Sequence, residues 1–265
     1  MGEYLGYMEN KVPLTLIVNS CDNYSDLWKM FVDTFEKNFP DFEGDKRIIS
    51  NHKTFEYQGF TSLGVGDDVS WSSNLIKALD SISTEYILLA IDDLFLKEKV
   101  KYKSFYEIFN DFVSLDGNYL KMIVAPRSSV RAKSRYFNVL EKGTLYRSTA
   151  VLAIWRKSVL KEMLIEEENA WEFEENSASR SDCYDGFYVV RTNFFTTLHM
   201  VVRGKVLRKS VKELQQLVPN WREHTAREVQ TKSDAMRQAF KDLRHLLFGI
   251  LVPSKLRRRV KRFFV

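Results

Sequence analysis

Apolar residues in this chain alternate between short unbroken runs and stretches where they recur every three or four positions. Leu14-Thr15-Leu16-Ile17-Val18 is the first run and predicts a strand buried on both faces. A polar turn, Asn19-Ser20-Cys21-Asp22-Asn23-Tyr24, follows it. Leu27, Phe31, Thr34, Phe35 and Asn38 then keep near-helical spacing and predict a helix over 26–38, with Pro40 just beyond. Arg47-Ile48-Ile49-Ser50 predicts a short second strand, and 59–66 reads as a loop. Ser70 is placed to cap a helix over 71–82, with Trp71, Leu75, Ala78, Leu79 and Ile82 on one face. Ile87-Leu88-Leu89-Ala90-Ile91 is five apolar residues in a row, and it ends in Asp92-Asp93.

The second half continues the alternation. A helix is predicted over 102–113, a strand over 120–125, an irregular hairpin or loop over 127–143, a strand over 149–155 and a helix over 157–165. The acidic segment 166–175 carries Trp171 and Phe173. If it is extended, Glu172 and Glu174 face one side together. Two short apolar runs within 188–202 predict closing strands, and from 211 onward the chain reads as helical with breaks near Pro219 and Pro253. This order predicts an α/β class: a Rossmann-like, mostly parallel sheet flanked by helices. The expected division is a catalytic body over 1–205 and a helical, basic extension over 206–265.

Charge sharpens that division. The net charge of +5 splits into 17 Lys/Arg against 5 Asp/Glu from position 203 onward and an acidic remainder. In the last stretch Leu256, Val260, Phe263 and Phe264 share a helical face while Lys255, Arg257, Arg258, Arg259, Lys261 and Arg262 line the rest. A basic amphipathic end predicts attachment to an anionic membrane surface. Nucleic acid is not expected, because no glycine or stacking-platform pattern interleaves these cations. Two cysteines, Cys21 and Cys183, without zinc-type spacing suit a reducing compartment. No apolar run is long enough to span a bilayer, and residues 1–10 lack the pattern of a signal peptide. The expected location is cytoplasmic, peripheral on the inner face of the membrane.

The acids closing the 87–91 run carry the strongest chemical signal. Unpaired carboxylates are costly to bury, so a strand ending in two of them points to a sheet edge where they are paired or hold a metal. In an open α/β sheet the C-terminal strand edge is where ligands bind. Asp92 and Asp93 are therefore the candidate ligands for Mg²⁺ or Mn²⁺, which prefer oxygen donors and neutralise a leaving diphosphate. Asn19, Ser20 and Asp22 in the first turn are candidates for base or ribose contacts, with Tyr24 as a stacking surface. Asn51, after the second strand, and Ser72, at the start of the 71–82 helix, are candidate donor contacts, as is Asp92 itself. Asp67 and Asp68 argue against direct phosphate contact at that helix start and favour a sugar or ribose. Glu174, or its neighbour Glu172, is the candidate general base beside aromatics that raise a carboxyl pKa. Asp182 and Asp185 are weaker alternatives. His52 has little support as a ligand, and His199, among apolar residues, reads as a strand histidine rather than a metal ligand.

Together these parts resemble a glycosyltransferase of the GT-A fold, of the kind encoded in bacterial capsule and O-antigen clusters. The resembling stretches are 14–24, the 71–79 helix leading to Glu85-Tyr86 and the Asp92-Asp93 strand, Ala153-Ile154-Trp155-Arg156-Lys157, and Trp171-Glu172-Phe173-Glu174. The resemblance implies that Asp92 and Asp93 hold the cation and the nucleotide sugar and that a later acid, Glu174 or Glu172, is the base. One departure is visible: the family's usual Asp-x-Asp is an adjacent pair here, flanked by Ile91 and Leu94. The implied activity is inverting sugar transfer from a nucleotide-sugar donor, UDP-linked, to a lipid-linked oligosaccharide in cell-surface polysaccharide synthesis. The rivals are a sugar-phosphate nucleotidyltransferase, which would show a basic glycine-rich loop where 19–24 has none, and a non-catalytic membrane-bound scaffold.

Overall fold

The computed structural model describes residues 13–252 together with Arg257 and Val260. β1 (Leu14–Asn19) runs through the polar turn into α1 (Ser25–Asn38), and β2 (Asp45–Ser50) returns beside it. β3 (Glu56–Tyr57) and β4 (Phe60–Gly64) form a hairpin that precedes α2 (Trp71–Asp80). β5 (Tyr86–Ile91) carries the acid pair at its end, and β6 (Leu94–Leu96) follows at once. After α3 (Tyr102–Ser114) come β7 (Tyr119–Lys121), β8 (Phe137–Val139) and β9 (Ala153–Arg156). α4 (Lys157–Met163) and α5 (Ala170–Arg180) lead to β10 (Phe187–Val190), β11 (Thr197–His199), β12 (Val201–Val202) and β13 (Lys205–Val206). The chain continues through α6 (Val211–Leu217), α7 (Trp221–His224) and α8 (Lys232–Leu251).

The main sheet has the order β3-β4-β2-β1-β5-β9-β7-β10-β8. β4, β2, β1 and β5 are parallel neighbours. β9 is antiparallel to both β5 and β7, and β10 is parallel to β7, so the C-terminal ends of β1, β5, β7 and β10 share one edge. Period-two alternation sends β5 to two cores. Leu88 and Ala90 pack with α1 and α3, whereas Ile87 and Leu89 pack with α2, α4 and α5. The first core is rich in aromatics, with Phe35 edge-on to Phe42 and Phe60, and Phe39 edge-on to Phe105.

Three expectations change. The 59–66 loop is mostly β4, because Gln58 and Gly59 both take positive φ (47° and 77°) and make a two-residue hairpin turn. The 166–175 segment is not extended. Asn169 accepts from the amides of Trp171 and Glu172 while Glu172 accepts from the Asn169 amide, and this capping box starts α5. The first part of the basic extension is knitted to the body. Leu214, Val218 and Trp221 join the α1 core, and Val206 exchanges backbone hydrogen bonds with Glu228 and Gln230, both 2.9 Å. Of the basic amphipathic end read from 252–265, most residues lie outside those described. Among the described residues, no helix is long and apolar enough to cross a membrane.

Candidate active site

The site begins with register. Asn19, the last residue of β1, pairs with Ile91, the last of β5, so the polar turn and the acid pair leave the sheet side by side. Ser20 Oγ donates to Asp92 Oδ2 and accepts from the Trp28 indole N–H at 2.6 Å. Asp92 is 6% exposed and Asp93 9%. Burial, then the adjacent Asp93 charge, pushes the Asp92 carboxyl well above the carboxylate range; the Ser20 hydrogen bond and the Arg227 charge only partly offset this. Asp93 Oδ2 meets His199 Nε2 at 3.1 Å, and its backbone carbonyl accepts from the Met200 amide at 2.8 Å. Its other oxygen, Oδ1, is buried without a hydrogen-bond partner. β11 brings His199 there by pairing with β6, His199 opposite Leu94. Burial alone would lower the imidazole pKa, but the hydrogen bond and charge of Asp93 outweigh it and hold it above the ordinary histidine value.

The first turn is tied down by its own polar groups. Asp22 accepts from the backbone amides of Asn51, His52 and Lys53 at 2.9, 2.9 and 3.1 Å. These bonds outweigh the cost of its burial and lower its pKa. Asn51 returns the favour, accepting from the Asp22 amide at 3.1 Å and donating to the Gly66 carbonyl at 3.0 Å. Asp22 and Asn51 therefore fasten the end of β1 to the end of β2. Tyr24 has one ring face covered by the Arg227 guanidinium, 4.3 Å from its centroid. Arg227 also forks onto Asp26, with Nε and Nη2 both 2.8 Å from carboxylate oxygens. Ser72 is fully buried and its Oγ has no partner. Its amide donates to the Glu168 carbonyl at 3.2 Å, and the Ser73 amide donates to the Ser70 hydroxyl at 2.9 Å. Two amides at the start of α2 are thus already committed within the protein.

Helix formation separates the two glutamates. Positions two apart on a helix diverge by about 200°, so Glu172 and Glu174 do not share a side. Glu172 closes the capping box in solvent. Glu174 turns inward, accepts from the Ala150 amide at 3.1 Å, and places its charge near Lys121. Lys121, at the C-terminal end of β7, is only 4% exposed, and burial, partly offset by Glu174, depresses its pKa to about 8. Lys121 and Leu89 both pair with Ala153, so Glu174 and Lys121 lie over the same strand edge as the acid pair, two strands away. Asp182 accepts from the Gly143 amide at 2.9 Å and Asp185 pairs with Lys142 at 2.9 Å, both bracing the loop before β9. His52 pairs with Asp67 in the open.

Lys121 and Arg227 are residues that local pattern did not single out, and His199, read as a strand histidine, lies on β11 as expected but with Asp93 as an unforeseen partner. Lys121 had a usable signal, being a lysine inside the apolar run 119–124. Arg227 had none, being one of many cations in a basic stretch.

Among the described residues, no group of three or more His, Cys, Asp or Glu side chains is arranged to hold a metal ion. The unpartnered Asp93 Oδ1 and the two adjacent carboxylates nevertheless suit a hard cation whose other ligands are water and phosphate oxygens.

No protein-family model and no curated protein sequence matches the chain. Solved structures do. Residues 1–349 of S. aureus TarS, crystallised in complex with UDP-GlcNAc, are 12% identical, with a TM-score of 0.51 over 92% of this chain and 77% of that one. The fold is GT-A-like. A longer S. aureus TarS structure is 12% identical with a TM-score of 0.48, and this chain spans 43% of its length. The galactosyltransferase LgtC, in complex with donor and acceptor sugar analogs, is 12% identical with a TM-score of 0.41, covering 92% of this chain and 99% of that one.

Proposed function

We propose that this chain is an inverting glycosyltransferase that moves a sugar from a nucleotide-linked donor to a hydroxyl of a lipid-linked glycan. One observation carries the reading: two buried adjacent carboxylates close the strand at the ligand-binding edge of a GT-A-like sheet, with Asp93 Oδ1 left unpartnered. The similar TarS structure holds UDP-GlcNAc, which favours a UDP-linked donor. Asn19, Ser20 and Tyr24 edge the nucleoside subsite, Asp22 and Asn51 fix the turn that carries it, and Ser72 backs it from behind. Asp92 and Asp93 would hold Mn²⁺ or Mg²⁺. Bound there, the cation neutralises diphosphate charge. Glu174 accepts the proton of the acceptor hydroxyl as that oxygen bonds to the anomeric carbon. The bond from that carbon to the diphosphate oxygen breaks, and its electron pair leaves with the nucleoside diphosphate. Lys121, buried at the end of β7, places its cation near Glu174.

The acceptor sits at a membrane, which the basic tail over 255–265 serves; it belongs to cell-surface polysaccharide synthesis on the cytoplasmic face. The test is a thermal-shift and nucleotide-release screen of UDP-, GDP- and CMP-sugars with Mn²⁺, Mg²⁺ or chelator. A UDP-sugar that stabilises the protein and is turned over supports the reading. Failure of every nucleotide sugar both to bind and to release nucleotide overturns it.

A further inference from the structure

α8 carries an apolar stripe that nothing among the described residues covers. Met236, Phe240, Leu243, Leu247 and Leu251 follow one another at helical spacings of three and four, and each is between 46% and 75% exposed. At 1.5 Å per residue the stripe runs for about 22 Å. The charges on the same helix are sorted around it. Its two acids turn to the body, where Asp234 lies 3.4 Å from Lys205 and Asp242 3.3 Å from Lys209. Arg237, Lys241 and Arg244 are exposed, and at about 100° per residue they follow directly round the helix from the stripe. Apolar side chains therefore sit beside a row of cations, on a face whose anions are spent elsewhere.

We infer that this face of α8 lies flat on an anionic lipid surface, the stripe entering the headgroup–acyl boundary and the three cations meeting lipid phosphates. Charge complementarity selects this occupant over a second copy of the chain. Two copies packed stripe to stripe would bring Arg237 and Arg244 of each toward cations of the other, with the acids of α8 held at the body and out of reach. The residues that follow continue the same sign, with Lys255, Arg257, Arg258 and Arg259 close behind. Interfacial helices of this composition bind through buried apolar area together with attraction to anionic lipid. The inference deepens the membrane-proximal reading above but does not depend on sugar transfer, and its test contains no substrate.

The experiment is co-sedimentation of the full chain with phosphatidylglycerol–phosphatidylcholine vesicles and with pure phosphatidylcholine vesicles. Wild type is compared with Phe240→Glu/Leu247→Glu, with Arg237→Gln/Lys241→Gln/Arg244→Gln, and with a chain lacking 255–265. Circular dichroism and thermal melts confirm that each variant is folded; the substituted side chains are exposed and leave both cores intact. The expected result is binding that requires phosphatidylglycerol and falls at least tenfold in the apolar variant. Loss of the three cations should weaken it by about fivefold for each, from roughly 1 kcal/mol per charge. Wild-type vesicle binding by the apolar variant overturns the assignment. So does wild-type binding by both stripe variants that is lost on removing 255–265, which makes the tail the anchor. A solution dimer that Phe240→Glu/Leu247→Glu splits also overturns it, and makes a second copy the occupant. Failure here with retained nucleotide-sugar turnover leaves the proposed activity standing.

Discussion

Lys121→Met tests whether the cation beside Glu174 is held at a cost to the fold. In the native protein this lysine is 4% exposed, and burial carries its pKa from an ordinary 10.5 down to about 8. At 1.36 kcal/mol per factor of ten, that difference corresponds to about 3 kcal/mol. The sign follows from proton counts. Below pH 8 both folded and unfolded chains carry the charge, and the folded state bears the whole penalty. Between pH 8 and 10.5 the unfolded chain holds more protons, so stability rises with pH and the penalty is recovered. Methionine keeps the unbranched stem and removes the charge, and the value of about 8 already includes the attraction of Glu174. The net gain at pH 7 should therefore be close to the full penalty, about 3 kcal/mol, or about 8 °C in Tm. Urea unfolding of both proteins at pH 7 and pH 10 measures it. Tyr106, raised chiefly by burial, and Tyr184, raised chiefly by its hydrogen bond to Glu162, are both pushed up to about 12 and act in the opposite direction at high pH. They are common to both proteins and cancel in the difference. The gap should shrink toward zero by pH 10. A gap that is the same at both pH values, or a variant less stable by more than about 1 kcal/mol at pH 7, refutes the reasoning. If Lys121 tunes Glu174, the stabilised variant should also lose turnover, as when stability is exchanged for function.

Three further outcomes are expected. Asp93→Asn should abolish transfer with the fold retained and should lower the titration midpoint of His199 in imidazole NMR of the metal-free protein; an unmoved midpoint removes Asp93 as the cause of its raised pKa. Glu174→Gln should cut turnover by about 10² while nucleotide still binds; Glu172→Ala should cost only about 0.5–1 kcal/mol of stability by opening the capping box, so equal kinetic losses from both would contradict the helix geometry. Asp92→Asn should raise Tm at pH 7 in chelator. The native carboxyl, with its raised folded pKa, is least costly below the ordinary carboxylate pKa and destabilises as pH climbs through the folded value, so a lower Tm for the variant at pH 7 would be the opposite sign.

The first half of the sheet was legible because each element carries its own period. β1, β2, β5 and the helices between them follow from unbroken apolar runs, helical spacing and the Ser70 cap. What was not legible depended on partners distant in sequence or on turn chemistry. The Gln58-Gly59 turn turns an apparent loop into β4, and Asn169-x-x-Glu172 turns an acidic stretch into a helix that aims Glu174 and Glu172 apart. Asp92 and Asp93 could be placed at the edge from β5 alone. Their partners could not: His199 arrives on β11, 106 residues away, and nothing local to it names the acid it meets. Lys121 looked like an interruption in a strand until α5 was packed over it.

The Arg227–Asp26 fork joins positions 201 residues apart. It also brings a positive charge to bear on Asp92 and covers Tyr24. During synthesis the first turn and both acids emerge well before the cation that steadies them. A nascent chain ending at β11 holds every proposed reacting carboxylate, with Ser20 and His199 already beside the acid pair, yet lacks the Arg227 charge and the fork onto Asp26. In the proposed site, the last charge to reach the acid pair is thus tied to completion of the chain through residue 227, and the contact that carries it spans nearly the whole body and belongs to the late, slow class of folding events.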